Sequence, residues 1–465
     1  MIKFKFPPTD QQRAVADKIV DFCTQDRSRV MILSGYAGTG KTTLIKAIID
    51  HLKTRKIPCK LMAATGRAAR VLQEKTALPT YTVHRYIYTF EIRKIHPQSK
   101  QVKHFFKLDK CSDPANTAYF VDEASMIGDK VTKSDIVDFG TGRLLTDLFT
   151  YVGPRKIIFI GDPAQLPPIN YITSPALNPD YFQKNMRMDC GFAVLSKIFR
   201  YENESGIFVN TKYWRETMQL PVLPYFNVYA SGYDDMKCLG SLENLAKEYA
   251  ISIEKYGIGK SILVSFMNST ADYANSLVRK HLYPGKKLNT LNKGELLMVV
   301  QNNYKHDLSN GDHIVVTDIG KKYSHTGIDF IDIKGYAFDE FGQRTFVGPA
   351  IYDMLFTRGK TDFHELEIRL FQDFIIRMKK EHGITDKDDS FITMLSSDRY
   401  YNALRVKFGY AITCHKSQGG EWEEVYIAID RALFRQPKEV QYRWFYTAVS
   451  RASKSVFFQE NMAIK

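Results

Sequence analysis

One short string in the sequence has the residue types and spacing of a phosphate-binding loop: Gly35-Tyr36-Ala37-Gly38-Thr39-Gly40-Lys41-Thr42. Glycines allow backbone N–H groups to face phosphate oxygens, and the N-terminus of the helix that follows adds a partial positive charge. In such a loop the lysine reaches the β- and γ-phosphates, and the last hydroxyl ligates Mg²⁺. The sequence therefore predicts that ATP and Mg²⁺ bind at Gly35, Gly38, Gly40, Lys41, Thr42 and Thr43.

Two adjacent carboxylates, Asp122 and Glu123, follow the apolar run Thr117-Ala118-Tyr119-Phe120-Val121 about eighty residues further on. We predict that Asp122 holds the Mg²⁺ through water, and that Glu123 orients and deprotonates the attacking water. Two solvated acids at the end of a strand are the alternative. Their position after a phosphate loop in the same predicted sheet favours the catalytic interpretation. A base beside the metal ligand also favours a hydrolase over a small-molecule kinase.

Strands that alternate with helices are expected to position these groups. The run VMILSG precedes the loop, the helical pattern KTTLIKAIIDHLKTRK follows it, and CKLMAAT, TAYFVDE and KIIFIGD have the pattern of further strands. This alternation predicts an α/β fold with a parallel sheet covered on both faces. A second α/β pattern begins near SILVSFMNSTADYANSLVRKHL and resumes at FGYAITCHKSQGGEWEEVYIAID.

Two segments interrupt these α/β patterns. Alternating residues on either side of Pro97-Gln98-Ser99-Lys100 predict a basic β-hairpin. Short strand patterns with a turn at Asn310-Gly311-Asp312, followed by a helical FHELEIRLFQDFIIRMKK, predict a small β-rich insertion. The predicted organisation is a first α/β domain at 1–84 and 117–195, a hairpin at 85–116, a second α/β domain at 196–290 and 406–465, and an insertion at 291–405.

Composition narrows the class of protein. The chain has 465 residues, and 65 Lys+Arg against 51 Asp+Glu give a net charge of +14, which fits a polyanionic partner. With 44% hydrophobic and 25% charged residues, intrinsic disorder is excluded for most of it. The six cysteines form no C-x-x-C pair, which argues against a zinc ribbon or a disulfide scaffold. The N-terminus has no secretory signal and the apolar runs are too short to span a membrane, so we expect a cytoplasmic protein without a membrane partner.

A string that follows the apolar KIIFI makes a family resemblance specific: Gly161-Asp162-Pro163-Ala164-Gln165-Leu166-Pro167-Pro168. Together with the phosphate loop and Thr413-Cys414-His415-Lys416-Ser417-Gln418-Gly419-Gly420, it resembles the superfamily 1B DNA helicases of the branch that includes RecD and Dda. The resemblance follows the family's motif order over most of the chain. It implies two RecA-like motor domains, an inserted pin, an inserted SH3-like domain and 5′→3′ movement along single-stranded DNA.

The resemblance also implies roles for residues of the ATP cleft. Gln12, in Thr9-Asp10-Gln11-Gln12, is implied to recognise adenine, and Gln165 to sense the γ-phosphate. Arg200 and Arg451 match two arginines that the second motor domain contributes, although an ordinary surface or salt-bridged arginine is the alternative for each. Guanidinium groups stabilise the charge that develops on the γ-phosphoryl oxygens. If they come from a second domain, hydrolysis requires a closed cleft, and ATP binding and release can drive stepping.

Single-stranded DNA is held by contacts to its phosphates and by stacking of its bases on aromatic rings. Strings that resemble the DNA-facing motifs of the family supply the candidate contacts Thr65, His84, Asn268, Thr413, His415 and Lys416. For the two histidines a structural role is the alternative. The hairpin stands where the family carries a strand-separating pin, and Phe105 and Phe106 are candidates for stacking on the duplex junction. A basic hairpin with one phenylalanine packed beneath it is the alternative.

We therefore predict an ATP- and Mg²⁺-dependent DNA helicase. The expected partners are single-stranded DNA, duplex junctions, and single-strand-binding, replication, repair or recombination proteins. Three alternatives are a translocase that remodels protein–DNA complexes without unwinding, a motor subunit of a nuclease complex, and a P-loop switch or kinase. The paired late motifs near His415 and Arg451 have no explanation in the last of these.

Overall fold

The computed structural model describes residues 2–95, 102–132, 137–201, 204–303, 305–339, 342–356, 363–385, 388 and 390–465. The strands are Val30–Gly35 (β1), Cys59–Ala63 (β2), Thr80–Thr82 (β3), Tyr88–Ile95 (β4), Val102–Leu108 (β5), Ala118–Asp122 (β6), Val137–Phe139 (β7), Lys156–Gly161 (β8), Cys190–Leu195 (β9), Met236–Cys238 (β10), Ser261–Ser265 (β11), Leu296–Val299 (β12), His313–His325 (β13), Ile328–Asp339 (β14), Gly342–Ile351 (β15), Val406–Phe408 (β16), Ala411–Thr413 (β17), Trp422–Ile427 (β18) and Ala452–Phe458 (β19).

The helices are Asp10–Thr24 (α1), Lys41–Thr54 (α2), Gly66–Thr76 (α3), Val83–Ile87 (α4), Leu144–Val152 (α5), Pro179–Tyr181 (α6), Gly206–Thr217 (α7), Leu242–Tyr256 (α8), Asn268–Leu282 (α9), Tyr352–Phe356 (α10), Phe363–His382 (α11), Ser390–Ser397 (α12), Cys414–Ser417 (α13) and Lys438–Val449 (α14). Short 3₁₀ turns occupy Ala124–Met126, Pro175–Leu177 and Leu433–Arg435, and a π-helical turn occupies Phe182–Met186.

The first sheet is parallel throughout and has the strand order β3-β2-β6-β8-β1-β9. Every residue of β1 is buried, because side chains that alternate along this strand enter two different cores. Met31 and Leu33 pack with α1 and α2, whereas Val30 and Ile32 pack with α5 on the other face. The carboxyl ends of β1, β6 and β8 therefore lie at one edge of this sheet, where loops can form a site.

The second sheet, β10-β19-β18-β11-β17, is also parallel and has helices on both faces. Residues of α8 and α9 pack in one hydrophobic core, and residues of α7 and α14 pack in the other. Two parallel sheets, each enclosed by helices, confirm the predicted α/β class.

The insertion contains the third sheet, which is antiparallel and has the order β15-β14-β13-β12-β16. Its helices α11 and α12 pack through Leu370, Phe371 and Phe391 against Phe330 of β14. Strand β16 pairs with β12, so this sheet extends past the predicted boundary at residue 405. The SH3-like form of the insertion stays a prediction.

The predicted hairpin is formed by β4 and β5, which pair antiparallel. A third strand, β7, pairs parallel with β5 and was not predicted. The turn expected at Pro97-Gln98-Ser99-Lys100 lies outside the described residues. The half of the hairpin nearer its turn contacts the insertion, since the His104 ring nitrogen lies 2.8 Å from the Tyr401 hydroxyl.

Candidate functional site

The phosphate loop connects β1 to α2 and has the backbone shape that its glycines permit. Gly38 and Gly40 have φ angles of 79° and 78°, a region that other residues rarely adopt. Lys41, the first residue of α2, donates to the carbonyl oxygens of Gly35 and Tyr36 at 2.7 and 2.9 Å. Burial lowers the pKa of Lys41, and the carboxylates of Asp162, Glu123 and Asp122 oppose that shift. The lysine therefore lies in a pocket where a polyanion would stabilise its charge.

A cavity of about 350 Å³ opens above this loop and combines groups from both parallel sheets. The predicted site residues that line it are Gly38, Gly40, Lys41, Thr42, Thr43, Asp122, Glu123, Gln165, Arg200 and Arg451. The loop and the carboxylates lie at the carboxyl ends of strands of the first sheet. Gly420, Glu421 and Arg451 lie just before strands of the second sheet. The cavity volume suits a nucleotide-sized ligand.

The two carboxylates at the end of β6 lie in different environments. Its own burial, and next the adjacent Glu123 carboxylate, raise the pKa of Asp122 to about 6. One Asp122 oxygen accepts the Glu123 backbone N–H at 2.9 Å. Glu123 adopts a left-handed φ of 49°, and among the described residues its buried Oε2 has no hydrogen-bond partner. A buried acceptor of this kind is suited to bind a water molecule.

The segment after β8 joins the phosphate loop to the second sheet. Asp162 accepts the backbone N–H of Ala37 at 2.9 Å and the hydroxyl of Tyr446 in α14 at 2.6 Å. The backbone N–H of Leu166 donates to the Thr447 hydroxyl at 2.9 Å. Gln165 lies between these two anchors, lines the cavity and is 4% exposed. Movement of the second sheet would therefore be transmitted to the Gln165 position.

Both predicted arginines reach the cavity, but they are held in different ways. Arg200 lies in the connection between β9 and α7, where the adjacent Phe199 N–H donates to the Gly38 carbonyl at 2.8 Å. Its guanidinium donates to the Ser450 carbonyl at 3.0 Å and to the Glu421 carboxylate at 2.6 Å. Arg200 thus bridges the phosphate loop and the second domain. Arg451 is buried after α14, where it donates to the carbonyls of Thr447 and Gly420.

Gln12 is placed beside the phosphate loop by the start of α1. It forms a capping box with Thr9, in which the Thr9 hydroxyl accepts the Gln12 N–H and the Gln12 side chain accepts the Thr9 N–H. The Gln12 amide also reaches the Thr39 carbonyl at 3.5 Å.

Three of the residues predicted to contact single-stranded DNA lie close together in the second domain. Asn268 begins α9, Thr413 ends β17, and Lys416 lies in α13, yet all three line one cavity of about 170 Å³. Asp430 fixes the start of α9, since its carboxylate accepts the N–H groups of Phe266 and Met267 at 3.0 Å. The chain thus places the start of α9 and the end of β17 around one opening.

The other residues predicted to contact single-stranded DNA lie elsewhere. Thr65 caps α3 in the first domain, where its hydroxyl accepts the Ala68 N–H. His84 packs against Tyr88 and Phe139, with ring centroids 5.8 and 4.9 Å away, and burial lowers its pKa to about 4. Burial also lowers the pKa of His415. These surroundings resemble those of structural histidines.

Two family profiles match the chain in the order of its two parallel sheets. The profile of the AAA domain matches residues 8–207, and that of the UvrD-like helicase C-terminal domain matches residues 408–458. An uncharacterized protein of Acanthamoeba polyphaga mimivirus is 23% identical, over 96% of this chain and 99% of that protein. The ATP-dependent RecD2 DNA helicase of Deinococcus radiodurans is 30% identical over 164 residues, which are 35% of this chain and 18% of RecD2.

Solved structures of Pif1 helicases share the fold. Two coordinating Pif1 helicases at forked double-stranded DNA give a TM-score of 0.50 at 15% identity, over 98% of this chain and 92% of that one. Bacteroides Pif1 bound to single-stranded DNA gives a TM-score of 0.50 at 16% identity, over 98% and 93%. The helicase profile and the RecD2 match support the superfamily 1B helicase resemblance predicted from the sequence. The predicted ATP-dependent DNA helicase class is thereby confirmed.

The helicase places the two hairpin phenylalanines on opposite faces of β5. Phe106 stacks on Phe139 with ring centroids 4.9 Å apart and packs at the edge of the first domain's core. Phe105 faces the other way, with the Lys103 ammonium 5.9 Å from its ring centroid. The structure therefore gives Phe106 a packing role, and Phe105 on the opposite face stays a candidate for a junction contact.

Four residues of the helicase cleft were not singled out from the sequence: Asp162, Gln418, Glu421 and Tyr446. Asp162 and Gln418 stand inside the strings that carried the family resemblance, and both are almost fully buried. A polar residue directly after an apolar strand pattern, as at Asp162, is a signal that sequence reasoning could have used. Among the residues that the structure describes, none of the helices is both long and apolar enough to cross a membrane.

Proposed function

We propose that this helicase couples ATP hydrolysis to 5′→3′ movement along single-stranded DNA and separates duplex at a fork. One observation carries the proposal: Lys41, Glu123 and Arg451 line the same cavity although they come from two different sheets. A site assembled from two domains is complete only when the domains are together, so each hydrolysis cycle can be linked to a domain movement. The polarity rests on the family resemblance.

The chain's own residues account for each requirement of hydrolysis. The phosphate loop and Lys41 would bind the β- and γ-phosphates. Glu123, whose buried Oε2 has no hydrogen-bond partner within the described part of the chain, would hold and deprotonate the attacking water. Thr42 and Asp122 offer the oxygen ligands that Mg²⁺ prefers and line the same cavity. When bound there, Mg²⁺ would neutralise phosphate charge.

The arginines would complete the transition-state site. Arg451 is held by carbonyl groups of Thr447 and Gly420, which leaves its positive charge unpaired by a carboxylate among the described residues. Arg200 is paired with Glu421 and lies against Gly38. We infer that the γ-phosphate competes with Glu421 for Arg200, because a guanidinium binds phosphate and carboxylate oxygens with the same fork geometry.

The second half of the proposal is that single-stranded DNA binds along a path between the two domains. Asn268, Thr413 and Lys416 line one cavity of the second domain, and Thr65 caps α3 in the first. The relatives support DNA as the ligand, because solved Pif1 structures include single-stranded and forked DNA. Short polar side chains and a lysine are suited to contact the sugar–phosphate backbone rather than base edges.

A tailed-duplex assay tests this function. Partial duplexes with a 5′ or a 3′ single-stranded tail are incubated with ATP, Mg²⁺ and either wild-type protein or Glu123→Gln. We expect the wild type to unwind the 5′-tailed duplex and Glu123→Gln to unwind neither. Unwinding of only the 3′-tailed duplex would contradict the polarity. DNA-stimulated hydrolysis with no unwinding of either duplex would favour a translocase that remodels protein–DNA complexes.

A further inference from the structure

A turn of the insertion, residues 307–312, lies between the residues of the two motor domains that are predicted to contact single-stranded DNA. On one side Ser309 lies against Gly66 at the start of α3, so closely that a Cβ added to Gly66 would be 3.0 Å from the Ser309 Cβ. On the other side Asn310 lines the cavity that contains Asn268, Thr413 and Lys416. The turn therefore occupies the region that a DNA single strand would cross if it contacted both Thr65 and Lys416.

Two carboxylates of this turn face arginines. Asp307 forms ion pairs with Arg85 of α4 at 2.8 Å and with Arg344 of β15 at 2.9 Å. Asp312 is buried and pairs with Arg70 of α3, while Arg344 lies 3.8 Å from its second oxygen. One pair of carboxylates thus links the insertion to two helices of the first domain.

The two carboxylates differ in exposure. The Asp312 side chain is 1% exposed and also accepts the Ser309 N–H, so it holds the shape of the turn. The Asp307 side chain is 57% exposed, and its partner Arg85 is 53% exposed. Exposed ion pairs contribute little to stability because water and salt screen them. Another anion can therefore replace the Asp307 carboxylate beside its arginines with little loss of stability. Replacement of the buried Asp312 carboxylate would cost more.

The surroundings of Arg85 and Arg344 are those of a phosphate-binding site. Both arginines line a polar cavity of about 320 Å³. The same cavity is lined by Thr80, Thr82 and Gln73, whose hydroxyl and amide groups are suited to backbone phosphate and sugar. Tyr81 adds a 40% exposed aromatic ring, with the Arg85 guanidinium 5.6 Å from its centroid.

We propose that Arg85 and Arg344 form a phosphate subsite for the DNA backbone, shared between the first motor domain and the insertion, and that Asp307 occupies it when no strand is bound. The inference rests on the proposed function, since the ligand is a single strand in the cleft. Asp307 acts as a competing anion. A strand must displace it, and the contact between the insertion and α4 is then replaced by contacts of both with one phosphate.

Fluorescence anisotropy with a labelled oligothymidylate at several salt concentrations tests the subsite. Asp307→Asn is expected to tighten binding by about two- to fivefold at low salt, the range that an exposed ion pair allows, and the gain should shrink as salt rises. The matched control is Asp318→Asn, which makes the same charge change on the same insertion. Asp318 is 58% exposed and pairs with Lys293 instead of a residue of the first domain. This control should leave affinity within error of the wild type.

The arginines supply the second arm of the test. Arg344→Gln should weaken binding and lower the salt dependence, and adding Asp307→Asn to Arg344→Gln should give less of a gain than in the wild-type background. Equal effects of Asp307→Asn and Asp318→Asn, or weaker binding by Asp307→Asn, would overturn the subsite. If wild-type protein binds the oligothymidylate but these variants do not differ, only the subsite fails. If wild-type protein does not bind it at all, the proposed function fails.

Discussion

Individual charges in the ATP cleft are controlled by burial and by their neighbours. Burial lowers the pKa of Lys41, whereas burial and the Glu123 carboxylate raise that of Asp122 to about 6. Both shifts penalise the charged form that nucleotide binding needs. A bound nucleotide with its cation would supply the missing opposite charges. The residues are thus arranged for a ligand that carries both signs of charge.

His84 provides a prediction for pH dependence at the same scale. Its folded-state pKa of about 4 lies below the ordinary value of 6.5 because its ring is packed against Tyr88 and Phe139. The unfolded chain therefore binds a proton at pH 5 that the folded chain does not, and stability falls as the pH drops from 6.5 towards 4. His84→Phe keeps a ring and cannot titrate. Between pH 7 and 5 the wild type should lose about 1–2 kcal/mol more stability than His84→Phe.

Urea unfolding of both proteins at pH 7 and pH 5 measures this difference. His382→Phe, at an exposed position in the last turn of α11, is the control and should follow the wild type. Equal pH sensitivity of the wild type and His84→Phe would show that His84 is not held neutral by its surroundings.

The sequence predicted those site residues whose positions are fixed by neighbouring residues in the chain. Lys41, Asp122 and Glu123 could be predicted because a strand, a loop and a helix start fix them within a few residues. Asp162 could not, because its role depends on the Tyr446 hydroxyl, which is 284 residues away in the chain. Likewise, the pairing of Arg200 with Glu421 exists only once the second sheet is in place.

The hairpin shows how an element combines packing and function. Strand β5 is central in its sheet, between β4 and β7, and it directs alternate side chains to opposite faces. Phe106 fills the aromatic cluster with Phe90 and Phe139, while the half of the hairpin nearer its turn contacts the insertion through His104 and Tyr401. The element is therefore fixed on both sides, as a rigid separating pin requires.

The two phenylalanines of β5 form a matched pair for mutation. Phe106→Ala should destabilise the protein by about 1–3 kcal/mol, since a partly buried ring leaves a cavity. Phe105→Ala should change stability less and should depress fork unwinding more than DNA-stimulated ATP hydrolysis. Thermal unfolding, unwinding and ATPase assays on both variants separate the two effects. A proportional loss of unwinding and hydrolysis in Phe105→Ala would contradict a role for Phe105 at the junction.

The elements that sequence reasoning missed depend on distant pairing. Strand β7 has three residues and is defined by its contact with β5, about thirty positions earlier. Strand β16 directly precedes the strand β17 of the second sheet, yet it pairs with β12 of the insertion. Periodicity within a short segment does not report such partners. The long buried strands β1, β6 and β8 were predicted because apolar runs define them without their partners.

The whole molecule is organised around one cleft between two parallel sheets. The segment after β8 contacts α14 through Asp162 and Leu166, and Arg200 binds the second domain from beside the phosphate loop. The insertion contacts the first domain through the arginine–carboxylate pairs of α3 and α4. Contacts between domains therefore lie beside the ATP cleft and also beside the proposed DNA path. A change at either site is expected to alter the other, which is the requirement for a DNA-coupled motor.

The most direct test of this account is ATP hydrolysis measured with and without single-stranded DNA. We expect strong stimulation of the wild type, and loss of the stimulated rate in Lys41→Ala and Glu123→Gln. Arg451→Gln should lower kcat by about a thousandfold, the range for arginines that stabilise the transferred phosphoryl group. Lys46→Ala on α2 and Arg435→Gln on the surface of the second domain should retain the wild-type rate. Hydrolysis that ignores single-stranded DNA at every salt concentration, or that survives Arg451→Gln, would contradict a motor whose site is shared between two domains.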